Sequence, residues 1–186
     1  DGAAAFLLEN APKGDCPLKV EWMDSYSYAF ELEACMYAGG DKLENGNLKP
    51  WSDYKASEWL NQSVFSIKQD VKILDEFILE KGAQSMKATF TKNNISADDI
   101  TYFLPHVSSN YFVKGLHDAL LNEGIEISIE KWFMNLNRVG NVGSASIYLM
   151  LEELMNSGNL KKGDTILLSV PESGRFSYSY AYLTVC

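Results

Sequence analysis

Three positions in this chain pair a residue type that can handle protons or charge with a place where a chain exposes such groups. They are His106, Asn141 and Gly174. His106 follows the apolar run "TYFLP" and precedes "SSNYFVKGLHDALLNEG", a helix-like stretch. A histidine there would sit at the carboxyl end of a strand, where α/β proteins place functional groups. Asn141 lies in "NRVGNVGSAS", a glycine-rich entrance to the apolar stretch Ile147–Leu154. Gly174 lies in "PESGRFSYS", where it serves the turn or turns its N–H toward a site. Each has a plainer reading. A lone histidine is more often structural, and an asparagine between glycines is a turn residue or helix cap. If the three loops belong to adjacent strands, all three residues share one end of a sheet. His117 sits mid-helix among polar neighbours and reads as a solvated surface residue.

The elements that would position these loops follow from periodicity and turn residues. Ala3–Leu8 reads as a short buried strand and Pro17–Tyr28 as a second. "AGGDKLENGNLKPWSDYKASEW" reads as a long surface loop or lid, an insertion at about 34–62. From about Val64 the spacing of Ile67, Val71, Leu74 and Ile78 predicts an amphipathic helix running to about Thr91, with Gly82 its weak point. "TYFLPH" is a strand. The helix after it is capped by Ser108 or Ser109 and ends before Gly124. "KWFMNL" reads as another strand, Asn137–Ser144 as a loop and Ala145–Met155 as a helix. "TILLSV" and "FSYSYAYLTV" form a closing antiparallel hairpin. Strands separated by helices imply an α/β design with a mostly parallel sheet and helical layers.

Composition narrows the function classes. With 186 residues, 46% of them hydrophobic, the chain can bury a sizeable core. A net charge of −9 lacks the basic footprint of a nucleic-acid binder and does not favour anionic membranes. No apolar run is long enough to span a bilayer. Cys16, Cys35 and Cys186 form no CxxC pair and no metal-like cluster with the two histidines. Their odd number and irregular spacing suit a reducing cytoplasm, and neither a metal nor a cofactor is expected. The opening "DGAAAFLLEN" reads like the middle of a strand, as though the chain were half of something larger.

Four segments, in order, resemble 3-oxoacyl-acyl-carrier-protein synthase III. "DGAAAFLLE" is similar to its DGAGAVVLE segment, "LPHVSSN" to its PHQAN segment and "NRVGNVGSAS" to its GNTSAAS segment. "LKKGDTILLSVPESGRFSYSYAYLTV" is similar to its closing glycine-loop hairpin. Each is weak alone; four in order and spacing, across nearly the whole chain, are specific. The resemblance implies one C-terminal half, residues 1–186, of a thiolase-like fold of two similar α/β halves in five layers, this half being a layered mixed sheet with helices and a closing antiparallel hairpin. It implies an acyltransferase in which a cysteine of the other half takes an acyl group from an acyl-CoA or acyl-carrier donor. Malonyl on acyl carrier protein is then decarboxylated, and the carbanion attacks the acyl thioester. It gives His106 and Asn141 the enolate oxygen to stabilise as neutral N–H donors. It places the Gly174 N–H in the oxyanion hole of the acylated cysteine. Ser109, Tyr111 and Lys114 fall where the carrier or substrate docks. Partners would be acyl carrier protein, the N-terminal half and, for the whole enzyme, a second copy in a homodimer.

The chain departs from the pattern in places. Val107 and Ser109 replace a glutamine and an asparagine, Tyr111 replaces a basic residue, and Ser173, Gly174 and Arg175 replace a glycine triplet. The departures point to a specialised synthase. A reading from a different class is a non-catalytic partner or scaffold domain, which would have no chemical reason to keep both His106 and Asn141.

Overall fold

A computed structural model describes residues 2–10 and 18–186. The strands in chain order are β1 (Leu18–Ser27), β2 (Met36–Tyr37), β3 (Gly40–Lys42), β4 (Leu48–Pro50), β5 (Lys68–Gln69), β6 (Tyr102–Pro105), β7 (Thr165–Glu172) and β8 (Ser177–Val185). The helices are α1 (Val71–Asn93), α2 (Tyr111–Asn122), α3 (Leu136–Val139) and α4 (Ser146–Asn156). The main sheet has the order β1-β8-β7-β6.

The alternation in "FSYSYAYLTV" divides the core. Tyr178, Tyr180 and Tyr182 point to one face, with Phe103, Leu167, Met86 and Phe90. Leu183 and Val185 point to the other, where Ile147, Met150, Leu151 and Leu154 of α4 cover them. A period of two in one strand thus supplies both layers. Helix α1 lies against the tyrosine face. The Tyr178 hydroxyl donates to the Ile78 carbonyl at 2.8 Å, and the Tyr180 hydroxyl donates to the Gly82 carbonyl at 3.0 Å. A Cβ at Gly82 would stand 3.1 Å from the Tyr178 ring, so the missing side chain permits this approach. The helix runs through Gly82 without a break.

Several expectations are corrected. The sheet is mixed, as the resemblance implied, but it is not mostly parallel: β6 pairs with β7 in parallel, whereas β7–β8 and β8–β1 are antiparallel. A short turn joins β7 to β8, so they must be antiparallel; the β6-to-β7 connection carries α2 to α4 and so can be parallel. Ala3–Leu8 forms no strand, because no ladder partner reaches it among the described residues; Leu7 is 81% and Leu8 75% exposed. Cys16 and Pro17 lie outside the described residues. Helix α1 begins at Val71, not near Val64, because the Asp70 carboxylate caps it by accepting from the Ile73 N–H, and the two preceding residues are taken up by β5. "KWFMNL" makes a single bridge, Trp132 beside Phe103, because one 3-10 turn precedes it and α3 follows at once.

The 34–62 segment carries more structure than a loop. Strands β3 and β4 pair within it, and β2 pairs with β5 at its base. Lys42 reaches Glu33 and Asp70, both at 2.8 Å, and Lys68 bonds Asp41, which ties the segment to the start of α1.

Candidate active site

Strand β6 delivers His106. Its backbone N–H donates to the Ser169 carbonyl at 2.8 Å, which extends the β6–β7 ladder by one rung past Pro105. The ring is half-buried, and burial holds its pKa below the ordinary imidazole value. It is therefore neutral near pH 7. His106 borders a cavity of about 10 Å³, shared with Val107, Met134, Asn135, Gly140, Ser146 and Met150. That is room for one water-sized atom.

The glycine-rich loop supplies one wall. Gly140 closes α3 with φ +78°, a left-handed conformation that favours glycine, and its N–H donates to the Leu136 carbonyl at 2.9 Å. Asn141 follows. Its side chain is exposed, and its Oδ1 accepts from the Gly143 N–H at 3.0 Å. The loop of Asn141 therefore meets His106 through Gly140, while the Asn141 carboxamide closes a turn of its own and does not border the cavity. Its Nδ2 donates to no described residue.

Gly174 lies at the same end of the sheet, in the β7–β8 turn, and is buried. Its carbonyl accepts from the Cys35 N–H at 2.9 Å. Its N–H donates to the Glu172 carboxylate, whose second oxygen accepts from the Arg175 N–H at 3.2 Å. Gly174 does not border the His106 cavity. Ser109 accepts from the Tyr111 N–H at 3.2 Å just ahead of α2, but the cap position falls on Asn110, whose side chain makes no cap bond, and not on Ser108 or Ser109. The exposed Tyr111 hydroxyl donates to Asp75 at 3.1 Å, which joins the first turns of α2 and α1. Lys114 is exposed and pairs with Asp118 one turn on. His117 packs partly against Trp132, with ring centroids 6.1 Å apart, so it is less solvated than its neighbours suggested. Cys35 is fully buried, its thiol donates to the Asp70 carbonyl at 3.4 Å, and burial pushes its pKa up, so it is no nucleophile. Among the described residues no cluster of three or more His, Cys, Asp or Glu could hold a metal.

Two residues that the motifs did not mark also border the cavity. Asn135 is 4% exposed, and its Nδ2 donates to Glu153 at 2.9 Å. Ser146 is 6% exposed, and its Oγ accepts from the Val142 N–H at 3.0 Å. Neither is marked by a motif of its own; only burial beside His106 reveals them. A wider cleft of about 390 Å³ lies where α1 and α2 end, crossed by the Lys87–Glu123 pair at 2.9 Å. It brings no group of comparable chemistry together.

The mixed sheet with its covering helices is a thiolase-like α/β arrangement, shared with solved synthase III structures. Residues 90–179 match the family described as 3-oxoacyl-[acyl-carrier-protein (ACP)] synthase III C terminal. The beta-ketoacyl-[acyl-carrier-protein] synthase III of Clostridium beijerinckii is 34% identical over 113 residues, 61% of this chain and 31% of the relative. That of Koribacter versatilis is 25% identical over 177 residues, 94% of this chain and 48% of the relative. The solved 3-oxoacyl-(acyl carrier protein) synthase III of Pseudomonas aeruginosa shares the fold at a TM-score of 0.62 and 17% identity, over 87% of this chain and 43% of that one. The chain shares the thiolase fold and, over residues 90–179, resembles the C-terminal part of synthase III; it spans about half the length, or less, of these relatives.

Proposed function

We propose that this chain is the C-terminal catalytic half of a condensing acyltransferase, which joins an acyl thioester to the carbanion left by decarboxylation of a malonyl group on acyl carrier protein. The observation that carries this reading is the neutral, half-buried His106 beside a space the size of one oxygen atom, within the segment that matches the synthase III family. Loss of CO2 leaves an enolate whose oxygen needs N–H donors that do not themselves ionise. A neutral imidazole N–H is one. The Asn141 Nδ2 is the second, once its carboxamide turns from Gly143 toward the cleft. The nucleophilic cysteine is supplied by an N-terminal half, and the acyl donor is acyl-CoA or an acylated carrier. The Gly174 N–H serves the acyl oxyanion when Glu172 releases it. Ser109, Tyr111 and Lys114, at the mouth of α2, face the carrier. The complete enzyme works as a homodimer in the cytoplasm, without a cofactor.

The alternative is a non-catalytic partner or scaffold. Two observations favour it: the Asn141 side chain closes its own turn, and the Gly174 N–H is taken by Glu172. One experiment separates the two. In the complete protein, His106→Ala and Asn141→Ala should each slow malonyl decarboxylation, by roughly 3 kcal/mol in the barrier for a lost donor. Acylation of the cysteine in a single turnover should survive Asn141→Ala far better. If CO2 release is unchanged in His106→Ala, or absent in the wild type, the scaffold reading stands.

A further inference from the structure

Asn135 is a polar side chain buried to 4% exposure with a job on only one of its two ends. Its Nδ2 donates to Glu153, which Arg138 also holds. That contact settles which way the carboxamide points: an ionised carboxylate accepts only, so the amine end must face it. The Oδ1 is thereby aimed the other way. It has no hydrogen-bond partner among the described residues. No fully buried polar side-chain atom is left unpaired there, so this oxygen keeps some contact with open space, and Asn135 lines the cavity at His106.

Asn135, Ser146 and His106 all line this cavity, which has room for one water-sized atom. Ser146 adds a hydroxyl whose oxygen already accepts from Val142, which leaves its hydrogen to donate. His106 adds a ring nitrogen. A water there accepts from Ser146 and donates one hydrogen to the Asn135 Oδ1. Among the side chains that line the cavity, the strongest acceptor left for its second hydrogen is a His106 ring nitrogen. This makes three hydrogen bonds, the usual number for a buried water.

We infer that Asn135 is a positioning residue for His106, acting through one water that it and Ser146 orient. A ring nitrogen that accepts from the water carries no proton. The other ring nitrogen of the neutral imidazole must then carry it, and is fixed as an N–H donor. The pair Arg138–Glu153 thus selects the histidine tautomer at second hand, by orienting an amide. The catalytic value of that selection rests on the donor role proposed above for His106; the selection itself does not.

The test is nitrogen NMR of the histidine ring in the complete protein above the pH at which it deprotonates. The wild type should show one dominant His106 tautomer. Asn135→Leu removes the acceptor at similar volume and should let both tautomers appear. Ser146→Ala removes the donor, with little change in shape, and should move the ratio the same way if the leucine variant fails to fold. For condensation, kcat should fall on the order of tenfold in either variant with KM kept, as expected when a group acts on the reacting geometry and not on binding. A folded variant of either kind with the wild-type tautomer ratio would overturn the inference. If instead the ratio shifts while His106→Ala leaves condensation intact, the tautomer assignment holds and the donor role of His106 falls.

Discussion

His106 sets the chemistry at the residue scale because burial acts on it before any partner does. Protonation costs more in the folded chain than in the unfolded one, since desolvation lowers the folded pKa. At high pH both forms are neutral and the ring contributes nothing to pH dependence. As pH falls through the unfolded value near 6.5, the unfolded chain takes up the proton first and the fold loses stability. The loss levels off below the folded pKa. Urea denaturation should show the wild type weakening between about pH 7 and pH 5 more steeply than His106→Gln, whose side chain does not titrate there. Parallel pH profiles would mean that the ring is as well hydrated folded as unfolded. His106 and the loop of Asn141 were legible from type and spacing. Asn135 was not, because its importance lies in which atom of an amide faces a cavity.

At the scale of the element, the start of α1 decides how the 34–62 segment is moored. Asp70 caps the helix and also holds Lys42. Asp70→Ala should cost about 1 kcal/mol through the lost cap, and more if the half-buried Lys42 ammonium keeps no other anion than Glu33. Asp70→Asn keeps a capping oxygen but loses the charge, so it should cost less. Urea midpoints of the two variants check the division: equal losses would assign the effect to Lys42 and not to the cap. The apolar spacing that announced this helix was only partly its true face. Ile67 precedes the helix and Val71 is exposed within it, whereas Ile78, Met86 and Phe90 are buried. Periodicity found the helix; the cap and the β2–β5 ladder decided where it begins.

Across the whole molecule, β1 is an edge strand among the described residues, and its outer face carries Met23, 69% exposed, with Val20 beside it. Leu7 and Leu8 are also open to solvent. The closing hairpin adds nothing to this apolar surface: Phe176, Tyr178, Tyr180, Tyr182, Leu183 and Val185 are all buried within the chain. The reason is that α1 and α4 cover its two faces. What stays open is the edge and the first segment, a combination that invites pairing with another chain. The isolated chain should therefore self-associate in light scattering at micromolar concentration. The pair Leu7→Ser and Met23→Lys should shift it toward monomer. A wild-type chain that stays monomeric would show that this surface needs no cover.

The sequence by itself determined what depends on neighbours along the chain. The period of two in β8, the strand that ends just before His106 and the apolar face of α4 are all local or linear facts, and the structure agrees with them. Tertiary structure alone decided what depends on which backbone finds which partner. "KWFMNL" and "AAAFLL" have the composition of strands, yet one makes a single bridge beside Phe103 and the other none, because a strand exists only where a ladder is offered. Parallel or antiparallel pairing in the sheet was set by whether a turn or a set of helices joined the strands. The pairing of Gly174 with Glu172, the turn made by Asn141 on itself and the pairing of the Asn135 amide with Glu153 are choices among hydrogen-bond partners. No residue type encodes such a choice, since each of these groups could have bonded elsewhere until the packing around it closed.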